Sequence, residues 1–224
     1  MRGRMCLRGG CRTRCRDNWL RQKPAARSCL HPFRAAITVH FAGIYQNRRI
    51  GMLKKMAGRL ISAAEKRIGV ELDYAHKIAA TDFGLMLRYG KVFGFLDPNK
   101  KVPAAAYHVA RLRGAAAADC GTCVEAEINL AKTANVAPDI ISATLQSDYG
   151  ALPGELAAVA RLADAVVSTR MDDPDARAEI VNAYGEAGLI ELSFAMNGAA
   201  LLPGIKRAMG YATVCDLQTL KKLA

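Results

Sequence analysis

Residues 103–133, PAAAYHVARLRGAAAADCGTCVEAEINLAKT, contain the features that decide the predicted fold. Pro103 suits the first turn of a helix over Ala104–Ala117, because its fixed φ is helical and it has no amide hydrogen to leave unpaired. Alanine, which has the highest helix propensity, dominates that stretch. Asp119 is a potential N-cap for the next helix, which carries two cysteines. We therefore predict two consecutive helices, with the cysteines at the start of the second.

Helical periodicity also precedes and follows this pair. Apolar residues recur at helical spacing from Leu53 to Ile68, and Gly69 is expected to end that helix. A second helical stretch is predicted over Leu72–Leu87. Later helices are predicted after three start signals, Pro138-Asp139, Pro153-Gly154 and Asp173-Pro174. The predicted elements end with a long apolar helix from near Gly188 to Pro203 or beyond and a short terminal piece, Cys215–Leu223.

The composition supports an all-α fold. Apolar residues make up 51% of the chain and aromatic residues only 6%, with no sustained alternating strand pattern and no glycine-rich phosphate loop after a strand. No apolar stretch reaches the ~18 residues of a membrane span. The nearest, residues 187–204, is interrupted by Glu191, Asn197 and Pro203. We therefore predict a single all-α helical domain over residues 52–224 and no membrane partner.

The net charge of +12 is concentrated near the N-terminus. Residues 1–51 contain 12 of the 32 Lys and Arg side chains and one acid, Asp17, whereas residues 52–224 carry a net charge of +1. The predicted helical domain is thus nearly neutral, and we do not expect it to bind nucleic acid. We interpret residues 1–51 as a basic N-terminal extension, either disordered or the result of a start site assigned too far upstream of Met52 or Met56.

Three other interpretations of the extension stay open. Its basic, acid-poor composition is typical of a mitochondrial transit peptide, although it lacks the amphipathic pattern and the serine content of one. Its charge alone would allow a nucleic-acid-binding arm. A zinc site is the third, with ligands from Cys6, Cys11, Cys15 and either Cys29 or His31, but their spacing matches no standard pattern.

The two cysteines of the central pair, Cys120 and Cys123, have the spacing of a redox dithiol. In the first turn of a helix they share a face and could close a disulfide. The partial positive charge of a helix N-terminus favours the thiolate, which is the form that attacks peroxides and disulfides. Glu127, four residues after Cys123, shares that face and could accept the thiol proton if it is buried. His108, on the preceding helix, could complete a proton path.

Each of these residues also has a less specific interpretation. His108 could be an ordinary, partly buried histidine, and Glu127 could lie on a solvated helix face. The two cysteines could be small core residues. The four side chains together could instead ligate a metal ion. His76 and Cys215 are predicted to have no part in the chemistry.

This pattern resembles the carboxymuconolactone decarboxylase-like superfamily, and in particular its alkylhydroperoxidase D-like branch. That branch is marked by a Glu, eleven intervening residues and then Cys-x-x-Cys-x-x-x-His. In this chain the spacing is kept around Cys120 and Cys123, but His108 and Glu127 occupy the Glu and His positions. The two residue types of the family's proton relay are therefore exchanged.

A second similarity lies nearer the C-terminus. Residues 184–197, YGEAGLIELSFAMN, resemble the late helix of the family. Arg207-Ala-Met-Gly210 is close to the Arg-x-x-x-Gly tail that follows this helix in relatives, whereas Pro203-Gly204 departs from their polar residues. The resemblance covers about residues 52–212 and none of the extension.

The resemblance implies an alkylhydroperoxidase D-like helical domain that assembles into a homo-oligomer, often a trimer or hexamer, and reduces hydroperoxides with its thiols. Cys123 corresponds to the cysteine that attacks the peroxide, and Cys120 to the one that resolves the sulfenic acid as a disulfide. Glu127 and His108 would then relay protons. We further expect a cytoplasmic enzyme that needs no cofactor or metal and is regenerated by a dithiol electron donor, which the sequence does not identify.

Two alternatives belong to other functional classes. Other members of the superfamily act as decarboxylases or lyases on small lactone acids, but they usually lack the paired cysteines. The chain could also be a non-enzymatic redox-sensing or metal-binding module whose basic extension contacts nucleic acid.

Overall fold

The structure is a computed structural model that describes the backbone of residues 35–96 and 101–213 and the side chains of residues 51–96 and 101–213. The chain divides into two compact units, Met1–Gly43 and Ile44–Ala224, and all of the described side chains belong to the second. Every regular element in the described ranges is helical, which confirms the predicted all-α class. The finer assignment to the alkylhydroperoxidase D-like type stays a prediction.

Eight α-helices follow one another along the described ranges: α1 (Ala35–Ile68), α2 (Asp73–Thr81), α3 (Phe83–Gly90), α4 (Ala104–Ala117), α5 (Gly121–Thr133), α6 (Pro138–Gln146), α7 (Gly154–Ala163) and α8 (Pro174–Ala208). Two short 3-10 segments lie at Lys91–Phe95 and Tyr149–Ala151, and a π-helical segment, Asp164–Thr169, continues α7. The terminal piece predicted over Cys215–Leu223 lies outside the described residues, as do the cysteines and His31 of the hypothetical zinc site.

The start signals read from the sequence are confirmed for α4, α6, α7 and α8. Each of these helices begins at or directly after the proline that predicted it. At α8 the Asp173 carboxylate accepts a hydrogen bond from the Ala176 amide at 2.9 Å, so Asp173 is an N-cap in the usual sense.

Two of the predicted helices near the N-terminus have different boundaries. α1 begins at Ala35 rather than at Leu53, because the intervening residues include no proline and a glycine inside a helix costs only about 1 kcal/mol. The single stretch predicted over Leu72–Leu87 is divided at Asp82, where the backbone is extended (φ −149°, ψ 123°). The Asp82 carboxylate accepts the Leu85 amide at 2.8 Å and thereby starts α3.

The apolar helix predicted from near Gly188 is the second part of a longer element. α8 is interrupted at Gly185, whose φ of 70° and ψ of 177° are not helical. A positive φ is accessible to glycine at little cost, so the chain can bend there between two helical segments. The helix then continues through Pro203 to Ala208.

The core is organised around α4, which packs against α5, α6, α7 and α8. On one side Leu112 of α4 is buried against Val124 and Ile128 of α5, which holds the start of α5 close to α4. On the α8 side, a Cβ built on Gly114 would lie 2.2 Å from the carbonyl oxygen of Met196. The close approach of α4 and α8 therefore depends on the absence of a side chain at residue 114.

Among the described helices, α8 alone is long and apolar enough to cross a bilayer by length and composition. Its mean hydropathy is 1.3 over the most apolar window, and 44% of that window is buried inside the protein. Core helices of soluble proteins satisfy the same criterion. Since α8 also supplies Leu192, Ala195 and Met196 to the core, its apolar character has a local explanation.

Candidate active site

The Cys120-Gly-Thr-Cys123 sequence forms the N-terminus of α5. Cys120 is the N-cap residue with extended φ and ψ (−134°, 105°), and its carbonyl oxygen accepts the Cys123 and Val124 amides at 3.0 Å each. The prediction that Asp119 caps this helix is wrong. Asp119 has a left-handed φ of 50° and belongs to the turn that leaves α4, so the chain enters the helix only after Cys120.

The cap of α5 comes from the C-terminal part of the chain instead. The Thr213 carbonyl oxygen accepts the Gly121 amide at 3.4 Å, and the Thr213 hydroxyl accepts the Thr122 amide at 3.2 Å. The hydroxyl groups of Thr122 and Thr213 lie 2.8 Å apart, and Arg207 donates to the Asp119 carbonyl oxygen at 2.5 Å. A segment about 90 residues away in sequence therefore satisfies the free amides at the start of the dithiol helix.

The two thiols are free and differ in their surroundings. Cys120 is fully buried, whereas Cys123 is half-buried and lines the main cavity. The Cys120 sulfur accepts a hydrogen bond from the Cys123 thiol and from backbone amides, which lowers the pKa of Cys120 to about 5 despite its burial. The same hydrogen bond, together with burial, raises the pKa of Cys123. Because the two pKa values move in opposite directions, this arrangement favours the state of the pair with one proton and one negative charge.

Charge and access favour different sulfurs as the nucleophile. The negative charge resides mainly on Cys120, which no solvent reaches, while Cys123 faces the cavity. Because the hydrogen bond already joins the two sulfurs, transfer of a single proton exchanges their roles. Access is the stricter requirement, because a sulfur has to touch the molecule that it attacks.

Glu127 lies one turn after Cys123 and is buried, a point that the sequence left open, but it is not a free carboxylate. The Arg111 guanidinium of α4 donates from Nε to Oε2 at 2.7 Å and from Nη2 to Oε1 at 2.8 Å. Both side chains are less than 10% exposed. Arg111 also donates to the Leu96 carbonyl oxygen and to the Tyr107 hydroxyl, at 3.2 and 3.3 Å. The interpretation of Glu127 as a solvated residue is therefore wrong.

His108 lies on the same cavity as Cys123, one helical turn before Arg111. It is 8% exposed, and its Nδ1 atom is buried without a hydrogen-bond partner. Burial, and to a lesser extent the nearby Arg111 charge, lower the pKa of His108 to about 4, so that its ring is neutral at pH 7. A neutral imidazole with an unused nitrogen can both accept and donate a proton.

The cavity that brings these groups together has a volume of about 740 Å³. Its polar wall includes the exposed residues Arg67 and Thr133 and the buried or half-buried residues His108, Arg111, Thr122, Cys123, Glu127 and Lys206. Much of the remaining wall is apolar and includes Ile68, Val70, Leu72, Leu96, Leu130 and Leu202. The space is far larger than a water or hydrogen peroxide molecule needs, so it can accept an organic molecule of moderate size.

Three of the four predicted site residues, His108, Cys123 and Glu127, line one cavity, and Cys120 is buried next to Cys123, but the four do not form a metal site. Within residues 51–96 and 101–213, no group of three or more His, Cys, Asp or Glu side chains is placed to hold a metal ion. His76, predicted to have no role in the chemistry, forms a 3.2 Å contact with Glu65 on the α1–α2 side.

Sequence reasoning missed the two buried cations of the site. Arg111 could have been found, because it lies three residues after His108 and so shares its helix face. Lys206 gave a weaker signal, because it stands next to Arg207 in the last turn of α8, where basic residues are common. Only tertiary packing brings Lys206 to the wall that holds Cys123.

Comparison of the chain with family models, with curated proteins and with solved structures gave no match. The resemblance to the alkylhydroperoxidase D-like branch thus stays a prediction from the motif. The chemistry of the site has to be inferred from its own geometry.

Proposed function

We propose that the chain is a thiol-dependent peroxidase or disulfide reductase in which Cys123 attacks and Cys120 resolves. The observation that carries this proposal is the position of the Cys123 thiol. It lies at a helix N-terminus, on the wall of a large and mostly apolar cavity, and is hydrogen-bonded to a second sulfur whose pKa is lowered to about 5. Such a pair can cycle between a dithiol and a disulfide.

The first step activates the sulfur that faces the cavity. The Cys123 proton passes to Cys120 along the existing hydrogen bond, which leaves a thiolate on Cys123. That thiolate attacks the terminal oxygen of a hydroperoxide, the O–O bond breaks, and Cys123 becomes a sulfenic acid. The leaving alkoxide accepts the proton that Cys120 received from Cys123 and departs as an alcohol, so Cys120 is again a thiolate.

The second step closes the disulfide. The Cys120 thiolate attacks the sulfenic acid sulfur, the S–O bond breaks, and the hydroxide that leaves takes up one proton from solvent to form water. We assign His108 to this proton transfer, because it is neutral at pH 7 and borders the cavity. A dithiol donor then reduces the disulfide and becomes a disulfide itself.

Glu127 has a narrower role in this scheme than a general base. Both of its oxygens accept hydrogen bonds from Arg111, while the Cys123 thiol already has an acceptor in Cys120. An unpaired carboxylate at residue 127 would repel a thiolate on Cys123, and the Arg111 guanidinium offsets that repulsion. Glu127 and Arg111 therefore form a neutral ion pair on the cavity wall beside His108, and Glu127 does not itself accept the thiol proton.

The remaining parts of the proposal concern the setting of the enzyme. We infer a cytoplasmic location, since a dithiol that an external dithiol donor regenerates needs a reducing compartment. Assembly into a homo-oligomer is supported by exposed apolar side chains on α1, where Met52, Met56 and Leu60 are 67%, 52% and 69% exposed. No cofactor enters the scheme, because the two sulfurs carry both electrons.

The test is consumption of tert-butyl hydroperoxide by the reduced full-length protein, with dithiothreitol as donor. With dithiothreitol present, we expect turnover by the wild type and none by Cys123→Ser. Cys120→Ser that has been reduced and then freed of dithiothreitol should consume one equivalent of peroxide and stop as the sulfenic acid. Circular dichroism checks that each variant is folded. Equal inactivity of all three proteins would refute the proposal. Cleavage of a small lactone acid by a Cys120→Ala/Cys123→Ala variant would favour a lyase instead.

A further inference from the structure

Lys206 of α8 is a buried cation that the proposed reaction does not use. Its side chain is only 4% exposed, and it borders the same cavity as Cys123. The Nζ atom lies 5.3 Å from the centroid of the Tyr74 ring, a cation–π contact. In the described ranges, all ion pairs within 4.0 Å join other side chains. An ammonium group this deeply buried needs a compensating charge nearby.

The other charges of the cavity wall are either paired or exposed to solvent. The Arg111 guanidinium is paired with both oxygens of Glu127, His108 is neutral at pH 7, and Arg67 is an exposed residue. The buried charges that remain are the positive charge on Lys206 and the negative charge on the dithiol. Lys206 acts electrostatically on both sulfurs, in each case favouring the thiolate over the thiol.

We propose that Lys206 is the positioning residue that balances the negative charge of the Cys120–Cys123 pair and thereby favours its reduced state. The inference rests on the proposed redox function of the dithiol. Reduction of the disulfide by two electrons and one proton gives one thiol and one thiolate, the electrons coming from an external dithiol that becomes a disulfide. Lys206 gains an opposite charge in the reduced form only, because the disulfide is neutral. Stabilisation of the reduced form makes the disulfide the more oxidising.

Tyr74 keeps the ammonium group in place in both redox states. The Tyr74 ring contacts Lys206, and its hydroxyl is hydrogen-bonded to the Tyr89 hydroxyl at 2.5 Å, which fixes the ring orientation. The two rings also meet edge to face, with centroids 5.7 Å apart. Lys206 therefore has an aromatic support that does not depend on the charge of the sulfurs.

The experiment compares full-length Lys206→Met with the wild type and with Lys77→Met, a matched loss of an exposed lysine on α2. Two quantities are measured at the Cys120 and Cys123 peptides by mass spectrometry. The first is the pH midpoint of alkylation by iodoacetamide. The second is the equilibrium between dithiol and disulfide in glutathione buffers.

We expect Lys206→Met to raise the alkylation midpoint by about 1 to 3 pH units, the range of pKa shifts that a nearby opposite charge causes. The equilibrium constant for reduction should fall at least about tenfold, equivalent to about 30 mV. Lys206→Arg should restore both values, and Lys77→Met should change neither. An unchanged midpoint and an unchanged equilibrium in Lys206→Met would overturn the inference. If that variant does not fold, Lys206→Gln provides the same comparison.

These readouts do not depend on peroxide turnover, so the two proposals can fail separately. Shifted values in Lys206→Met together with an inert wild type would refute the peroxidase and keep the role of Lys206. Conversely, peroxide turnover by the wild type, together with an unchanged midpoint and equilibrium in Lys206→Met, would refute the role of Lys206 and keep the peroxidase.

Discussion

The buried pair of Arg111 and Glu127 offers the sharpest test of how the site is held together. Replacing Arg111 by Met keeps most of the side-chain volume but leaves the Glu127 carboxylate buried without its cation. Breaking a buried ion pair by removing one partner costs about 3–5 kcal/mol. Here the loss should lie within that range, because both residues are less than 10% exposed and two short hydrogen bonds disappear. The free energy of unfolding in guanidinium chloride, followed by circular dichroism, measures it.

A double-mutant cycle measures the interaction between Arg111 and Glu127 separately from their contacts with other residues. Arg111→Met/Glu127→Met removes both charges and should recover most of the stability, since apolar replacement of a whole buried pair is often neutral. As a surface control, Arg177→Met breaks the exposed pair with Asp172 and should leave the free energy of unfolding nearly unchanged. A loss below about 1 kcal/mol for Arg111→Met, or a double variant as unstable as the sum of the single ones, would refute the reasoning.

Two further predictions concern α4. Burial lowers the pKa of His108 from 6.5 to about 4, so the unfolded state binds more protons between these values; stability should fall as the pH drops from about 6.5 to 4, by about 3 kcal/mol in total. Urea unfolding across this range should show a weaker pH dependence in His108→Gln, whereas a His76→Gln variant that flattens the curve equally would contradict the assignment to His108. Gly114→Ala should cost at least about 1–3 kcal/mol, because the new Cβ meets the α8 main chain at 2.2 Å. Its thermal unfolding is compared with that of Gly154→Ala, where nothing lies within 4 Å; equal melting temperatures would exclude a close contact between α4 and α8.

The helix starts were predictable because their signals are local. Pro138 and Asp173 act within one turn of the residues that they precede, so a short window of sequence contains the whole interaction. The sequence also placed Cys120 and Cys123 at the start of α5, although Cys120 itself, and not Asp119, is the N-cap residue. Asp82 shows the limit of periodicity, since the apolar pattern continued across a residue whose capping hydrogen bond divides the helix.

The sequence by itself determined the helical class, the positions of most helix starts and the spacing of the dithiol, all of which depend on residues within a few positions of each other. Only the tertiary structure decided that Arg111 holds Glu127, that Thr213 caps α5, and that Lys206 shares a cavity with Cys123. The last two contacts join residues more than 80 positions apart in sequence, and a pattern in one helix contains no information on which other helix packs against it. The charges that govern the sulfurs are therefore set by packing and not by the motif.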